Sequence, residues 1–218
     1  LQESMCLHCA YSPKSSFNLR KNLITVPSCD LHNSMKSQDD EFLMMSIAGI
    51  FGNNFVGLAH ANTKVDRALR RKRAAFFNKV VLRNAKSHVT TLTPEKKLPV
   101  LIGSPDVDRF FRCFESIAYG LYFHENKTVF KGKVDMVFGF ISYEDHDTNT
   151  FVDLIKKKST LDERVLDVKG ENPLVFQYQF FSPDELDFIS LKLTFYGGTE
   201  VFISFQPEGR LIPFNLGF

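Results

Sequence analysis

Two residue pairs near the start of the chain, Cys6-x2-Cys9 and Cys29-x2-His32, are spaced to close on a single metal ion. A tight turn at each pair would aim both side chains at a common point. The nineteen residues between the pairs are enough for a small hairpin that joins the turns. Three thiolates and one imidazole make a closed tetrahedral shell for structural Zn2+, with no open position for a substrate. Cys6, Cys9, Cys29 and His32 are therefore the expected zinc ligands, against the plainer alternative of three buried thiols and an unrelated surface histidine. The fourth cysteine, Cys113, stands alone. A clustered trio with one isolated thiol fits metal binding in a reducing compartment better than disulfides, so a cytoplasmic location is expected.

The 218 residues suffice for one large domain or for a small metal module fused to a larger body. No run of 18 apolar residues occurs and no basic-then-apolar start, so neither a membrane partner nor secretion is expected. Phenylalanine is abundant, 23 copies against no tryptophan and mostly beyond residue 109, which predicts an aromatic core in the C-terminal half.

Charge is distributed unevenly. Between Lys64 and Lys86 nine basic residues face Asp66 alone, so this window carries +8 in a chain whose total is +2. Val65, Leu69, Phe76 and Val80 share one helical stripe, which predicts a helix over about 63–85 with Lys64, Arg67, Arg70 and Arg71 on a neighbouring face, and Arg73 joins them as a candidate phosphate contact. A solvated face is the ordinary fate of a charge run. One with almost no carboxylate partners repels itself, however, and suits the phosphate backbone of a nucleic acid.

Other elements follow from pattern. Asp39-Asp40-Glu41 before the apolar run Phe42–Ile50 predicts a helix start capped by Ser37 and ended by Gly52-Asn53-Asn54. Residues 90–104 read as loop with one short strand, 98–102. Ser104-Pro105 opens a helix whose Val107, Phe110, Phe111, Phe114, Ile117, Ala118 and Leu121 follow the 3.6-residue period to about His124. Strands are expected over 133–142 and 174–181, a short helix over 150–158, and a hairpin from strands 189–196 and 199–205 about Gly197-Gly198. Imperfect alternation in the last strand predicts burial on both of its faces. Glu144-Asp145-His146-Asp147 reads as a polar turn, since adjacent side chains point apart. His60, His88 and His124 are expected to be surface or satisfied core residues. The fold class is α+β, with an antiparallel sheet and packed helices in residues 59–218 and the zinc module in residues 1–58.

Three stretches together carry a resemblance: Cys6-Leu-His-Cys9, then Val26-Pro27-Ser28-Cys29-Asp30-Leu31-His32-Asn33, then Lys36-Ser37-x-Asp39-Asp40-Glu41. Over about residues 5–45 the sequence resembles zinc-containing HNH endonucleases of bacteria and phages. That resemblance implies a zinc-stapled ββα unit that carries a second, catalytic divalent ion, usually Mg2+, and hydrolyses phosphodiester bonds in nucleic acid, DNA rather than RNA. It implies that Asn33 fills the final metal-ligand position and Asn22 the middle asparagine.

The first position departs from the pattern. No histidine lies between Cys9 and Cys29, and Asn18 stands closest to where one belongs. An asparagine cannot accept a proton near neutral pH, and losing a general base costs about 10²–10⁴-fold in rate. A binding protein without turnover, a base supplied by His8, and a shortened loop are the alternatives. A non-enzymatic regulatory protein whose Phe-rich sheet docks another protein is the rival class.

Overall fold

The computed structural model describes residues 2–3, 24, 27–28, 30–65, 83–93, 96–162 and 167–209. The chain is an α+β protein with antiparallel sheets. Strands β1 (Gln2–Glu3) and β2 (Pro27–Ser28) pair antiparallel, with Gln2 opposite Ser28 and Glu3 opposite Pro27. Helix α1 (Asp30–Ile47) follows, then α2 (Phe55–His60) and a π-helical turn, Ala61–Val65. A two-stranded ribbon comes next, β3 (Arg83–Thr93) against β4 (Lys96–Ser104). Helix α3 (Val107–Asn126), strand β5 (Gly132–Phe138) and helix α4 (His146–Asp162) lead into β6 (Lys169–Asn172), β7 (Phe176–Phe180), β8 (Ile189–Phe195) and β9 (Thr199–Pro207). The last four strands and β5 form one antiparallel sheet in the order β5-β9-β8-β7-β6.

The two-residue period of the strands sorts this sheet into two unlike faces. Phe176, Tyr178, Leu191, Leu193, Phe195, Val201, Ile203, Phe205, Met136 and Phe138 are buried on one. On that face lies α3, whose Phe110, Cys113, Phe114, Ile117, Ala118 and Leu121 are buried. The expected aromatic core is here: the ring of Phe110 lies 5.7 Å from Phe138, Phe114 5.9 Å from Phe195, and Phe176 4.8 Å from Phe195. Each such ring, buried, contributes about 1.5–3 kcal/mol. On the other face Gln177, Gln179, Lys192, Thr194 and Glu200 alternate with the core residues. There Phe202 and Val137 are sealed by Val152 of α4. Phe202 on this face and its neighbours Val201 and Ile203 on the other are all buried, as the broken alternation of the last strand predicts.

Helix α1 begins nine residues before the expected start at Asp39, and Ser37 lies within it rather than capping it. Its first turns are polar, so hydrophobic periodicity marks only the apolar part, of which Phe42–Met45, Ile47 and Ala48 are buried. Phe42 stacks 5.2 Å from Phe110, and Arg109 lies over the Phe42 ring while its Nε donates to Asp39 at 2.8 Å. The core thus takes residues from both sides of position 58.

The expected helix over 63–85 is corrected at both ends. Helical structure begins at Phe55, and Arg83–Ala85 belong to β3. Residues 66–82 lie outside the described ones. The expected short strand at 98–102 is the middle of β4, and its partner β3 covers Thr90 and Thr91, expected as loop. Asp106, not Ser104, caps α3, accepting from the Arg109 amide at 3.1 Å, and α3 ends two residues later than expected with Lys127 in the left-handed conformation. Helix α4 is longer than expected because Asp145 caps it, accepting from the Thr148 amide at 2.7 Å. The hairpin between β8 and β9 is as expected, but its positive φ values fall on Tyr196 (51°) and Gly197 (69°) rather than on the two glycines. Gly198 is glycine for another reason: a Cβ there would collide with the Gly52 carbonyl and stand 2.9 Å from the Asn53 nitrogen.

Candidate functional site

Three groups of residues bear on function: the strand–strand–helix unit at the start, the basic segment after α2, and the polar face of the large sheet.

The first unit places the flanks of the two metal-ligand pairs side by side. Glu3, three residues before Cys6, is opposite Pro27, two residues before Cys29. The backbone of His32 and Asn33 forms the first turn of α1. Cys6, Cys9, Asn18, Asn22, Cys29 and His8 lie outside the described residues. Among the described residues no group of three or more His, Cys, Asp and Glu could hold a metal ion.

The second group is fixed to the core just before its charges begin. His60 is fully buried, and its Nδ1 lies 2.7 Å from the Tyr196 hydroxyl at the tip of the β8–β9 hairpin. The rings meet edge to face at 5.6 Å, and burial pushes the Tyr196 phenol above its ordinary pKa. His60 is therefore a core residue. Asn54 accepts from the Val56 and Gly57 amides as the cap of α2, and its own amide donates to the Leu174 carbonyl at 2.8 Å. Asn53 accepts from the Thr199 hydroxyl at 2.8 Å. These bonds hold α2 to the sheet and fix where the chain enters the basic segment. Lys64 falls in the π-helical turn, while Arg67, Arg70, Arg71 and Arg73 lie outside the described residues. Arg83 and Lys86, the last two positive residues of the window, are exposed on β3.

The third group is a polar cleft of about 200 Å3 between the sheet and the end of α4, lined in part by Thr160, Gln177, Gln179, Lys192, Thr194 and Glu200. Lys192 is 4 % exposed, and its Nζ lies 2.8 Å from Glu200. The ammonium sits 5.8 Å from the Phe202 ring centre. A buried lysine matched by a carboxylate satisfies its charge internally. The pair ties β8 to β9. Sequence pattern missed this pair because a lysine that alternates with apolar residues, between Ser190 and Thr194, reads as a solvent-facing residue.

Asp145 accepts from the backbone amides of Asp147 and Thr148 and from the Thr148 hydroxyl, so the Glu144–Asp147 run, expected as a polar turn, is instead the cap and first residues of α4. No helix among the described residues is long and apolar enough to cross a membrane. Compared with protein-family models, curated proteins and solved structures, the chain matches none.

Proposed function

We propose that this chain is a zinc-stabilised, HNH-like nucleic-acid-binding protein. Cys6, Cys9, Cys29 and His32 hold Zn2+ at the junction of β1, β2 and α1, and the basic segment from Lys64 onward lies against phosphates. The observation that carries this reading is the β1–β2 pairing. It draws together the backbone next to both ligand pairs and delivers β2 directly into α1, the strand–strand–helix order the resemblance implies. The charge of the segment supplies the partner's sign: a phosphate backbone releases condensed counterions when lysines and arginines replace them.

Cleavage is the stronger form of the proposal. In it Asn33, Asn22 and Asn18 would hold a divalent ion such as Mg2+, which would supply positive charge to the scissile phosphate. Binding without cleavage is the second form, favoured by one observation: residues 10–28 contain no histidine to serve as general base.

Metal analysis of freshly purified chain should find one zinc per chain, lost on Cys29→Ala together with a lower thermal midpoint. A labelled DNA duplex should bind with strong salt dependence. Nicking of supercoiled plasmid that requires Mg2+ and is blocked by chelator selects the nuclease form, and binding without nicking selects the other. A metal-free chain that ignores nucleic acid at low salt sinks both.

A further inference from the structure

The β3–β4 ribbon is the part of the fold that looks least like core. Lys86, Ser87, His88 and Val89 are consecutive and all exposed. Because successive strand residues point to opposite sides, water reaches both faces of the ribbon there. Ile102, 57 % exposed, is opposite Lys86, while Val89, 65 % exposed, points the other way.

Other features suit a polyanion. Between positions 83 and 104 the basic residues are Arg83, Lys86, Lys96 and Lys97, against Glu95 alone. Lys97 and Lys96 stand at the far end of the ribbon, opposite Thr91 and Thr93. Ser87, His88 and Thr91 add exposed hydrogen-bonding side chains. At the near end Arg83 bonds to Asp106 at 2.9 Å, and Asp106 caps α3, which fixes the root of the ribbon to the core. A register shift between Arg83 and Lys86, with Asn84 at φ 54°, is a bulge that bends and twists the strand as it leaves this root.

We propose that the ribbon is an arm that enters the major groove of duplex DNA, its lysines on the phosphates and Ser87 and Thr91, which share one face, toward the base edges. This rests on the nucleic-acid-binding reading above and assigns its contact surface. Nine residues of β4 span about 30 Å. A B-form major groove about 12 Å wide admits a two-stranded ribbon, whereas the major groove of an RNA duplex is too narrow and deep.

The test uses the full zinc-loaded chain and a fluorescent 24-base-pair DNA duplex, followed by anisotropy over a salt series. The K86Q/K96Q/K97Q variant should bind at least ten-fold more weakly, with a salt slope lower by up to about 3, near 1 for each phosphate left unneutralised. Methyl green, which occupies the major groove, should compete; netropsin, which occupies the minor groove, should not. In the unsubstituted chain, bound duplex should shield Lys86, Lys96 and Lys97 from acetylation, a readout independent of any variant's folding. Unchanged affinity and slope, no shielding, competition by netropsin alone, or equally tight binding of duplex RNA overturns the arm and leaves nucleic-acid binding standing. A wild-type chain that binds no nucleic acid removes both.

Discussion

The imidazole Nδ1 of His60 and the phenol oxygen of Tyr196 lie 2.7 Å apart with both side chains sealed from water. This contact joins residues 136 positions apart in sequence and is the buried bolt between α2 and the tip of the β8–β9 hairpin. Removing a buried hydrogen-bond partner costs the desolvation of the group left behind, about 1–3 kcal/mol. Tyr196→Phe keeps the ring and deletes only the hydroxyl, so it should lower stability by that amount in urea unfolding with the slope unchanged. A midpoint equal to wild type would mean that the contact contributes nothing.

Helix α3 is tied to the sheet at its C-terminal end by Glu125. The Tyr178 hydroxyl donates to Glu125 at 2.7 Å, and the Lys169 ammonium bonds the other carboxylate oxygen. Burial alone would raise the Glu125 pKa, but these two bonds and the lysine charge outweigh it and hold the carboxyl below its ordinary value. A depressed carboxylate stabilises the fold fully above the unfolded pKa of about 4.3, and that contribution disappears as pH falls through the lower folded value. Glu125→Gln should cost about 1 kcal/mol at neutral pH and lose less stability than wild type on acidification below about pH 4. Parallel stability–pH curves for the two proteins would show that Glu125 is not one of the acid-sensitive groups.

Cys113 faces the core from α3, and burial, reinforced by the charge of Asp39, pushes its thiol up to about 12. A neutral buried thiol is a poor nucleophile. Native chain at pH 8 should therefore leave Cys113 unlabelled by a disulfide reagent, with mass mapping of the peptide as readout, and denaturant should expose it at once. The same shift makes the fold lose stability as pH rises above about 8.5, where the unfolded thiol ionises and the folded one does not. Rapid native labelling of Cys113 would contradict the packing of α3.

What the sequence revealed depended on which physical signal each segment carries. Helix α3 was legible because seven apolar residues keep one period over four turns, and the β8–β9 hairpin because alternation meets a glycine pair. The start of α1 was not: its first turns hold only Leu31 and Met35 as apolar residues among polar ones, too few to mark a period. The ribbon escaped because residues 86–89 of β3 are exposed on both faces, so no alternation marks them. The basic window was read as helical throughout from an apolar stripe, yet its last residues are strand, where pairing with β4 supersedes local preference. For the candidate site, the proposed ligands and the charge rest on spacing and composition. The pairing of Glu3 with Pro27 and the His60–Tyr196 contact were invisible, since both join distant parts of the chain.

Only a hydrogen atom fits between Gly198 and the Gly52 carbonyl, and this bears on how the protein can be re-engineered. A hairpin transplanted from another fold would arrive with a side chain at that spot and pry the first two helices off the sheet. The turn after α1 and the last hairpin are thus a matched set, to be moved together or left alone.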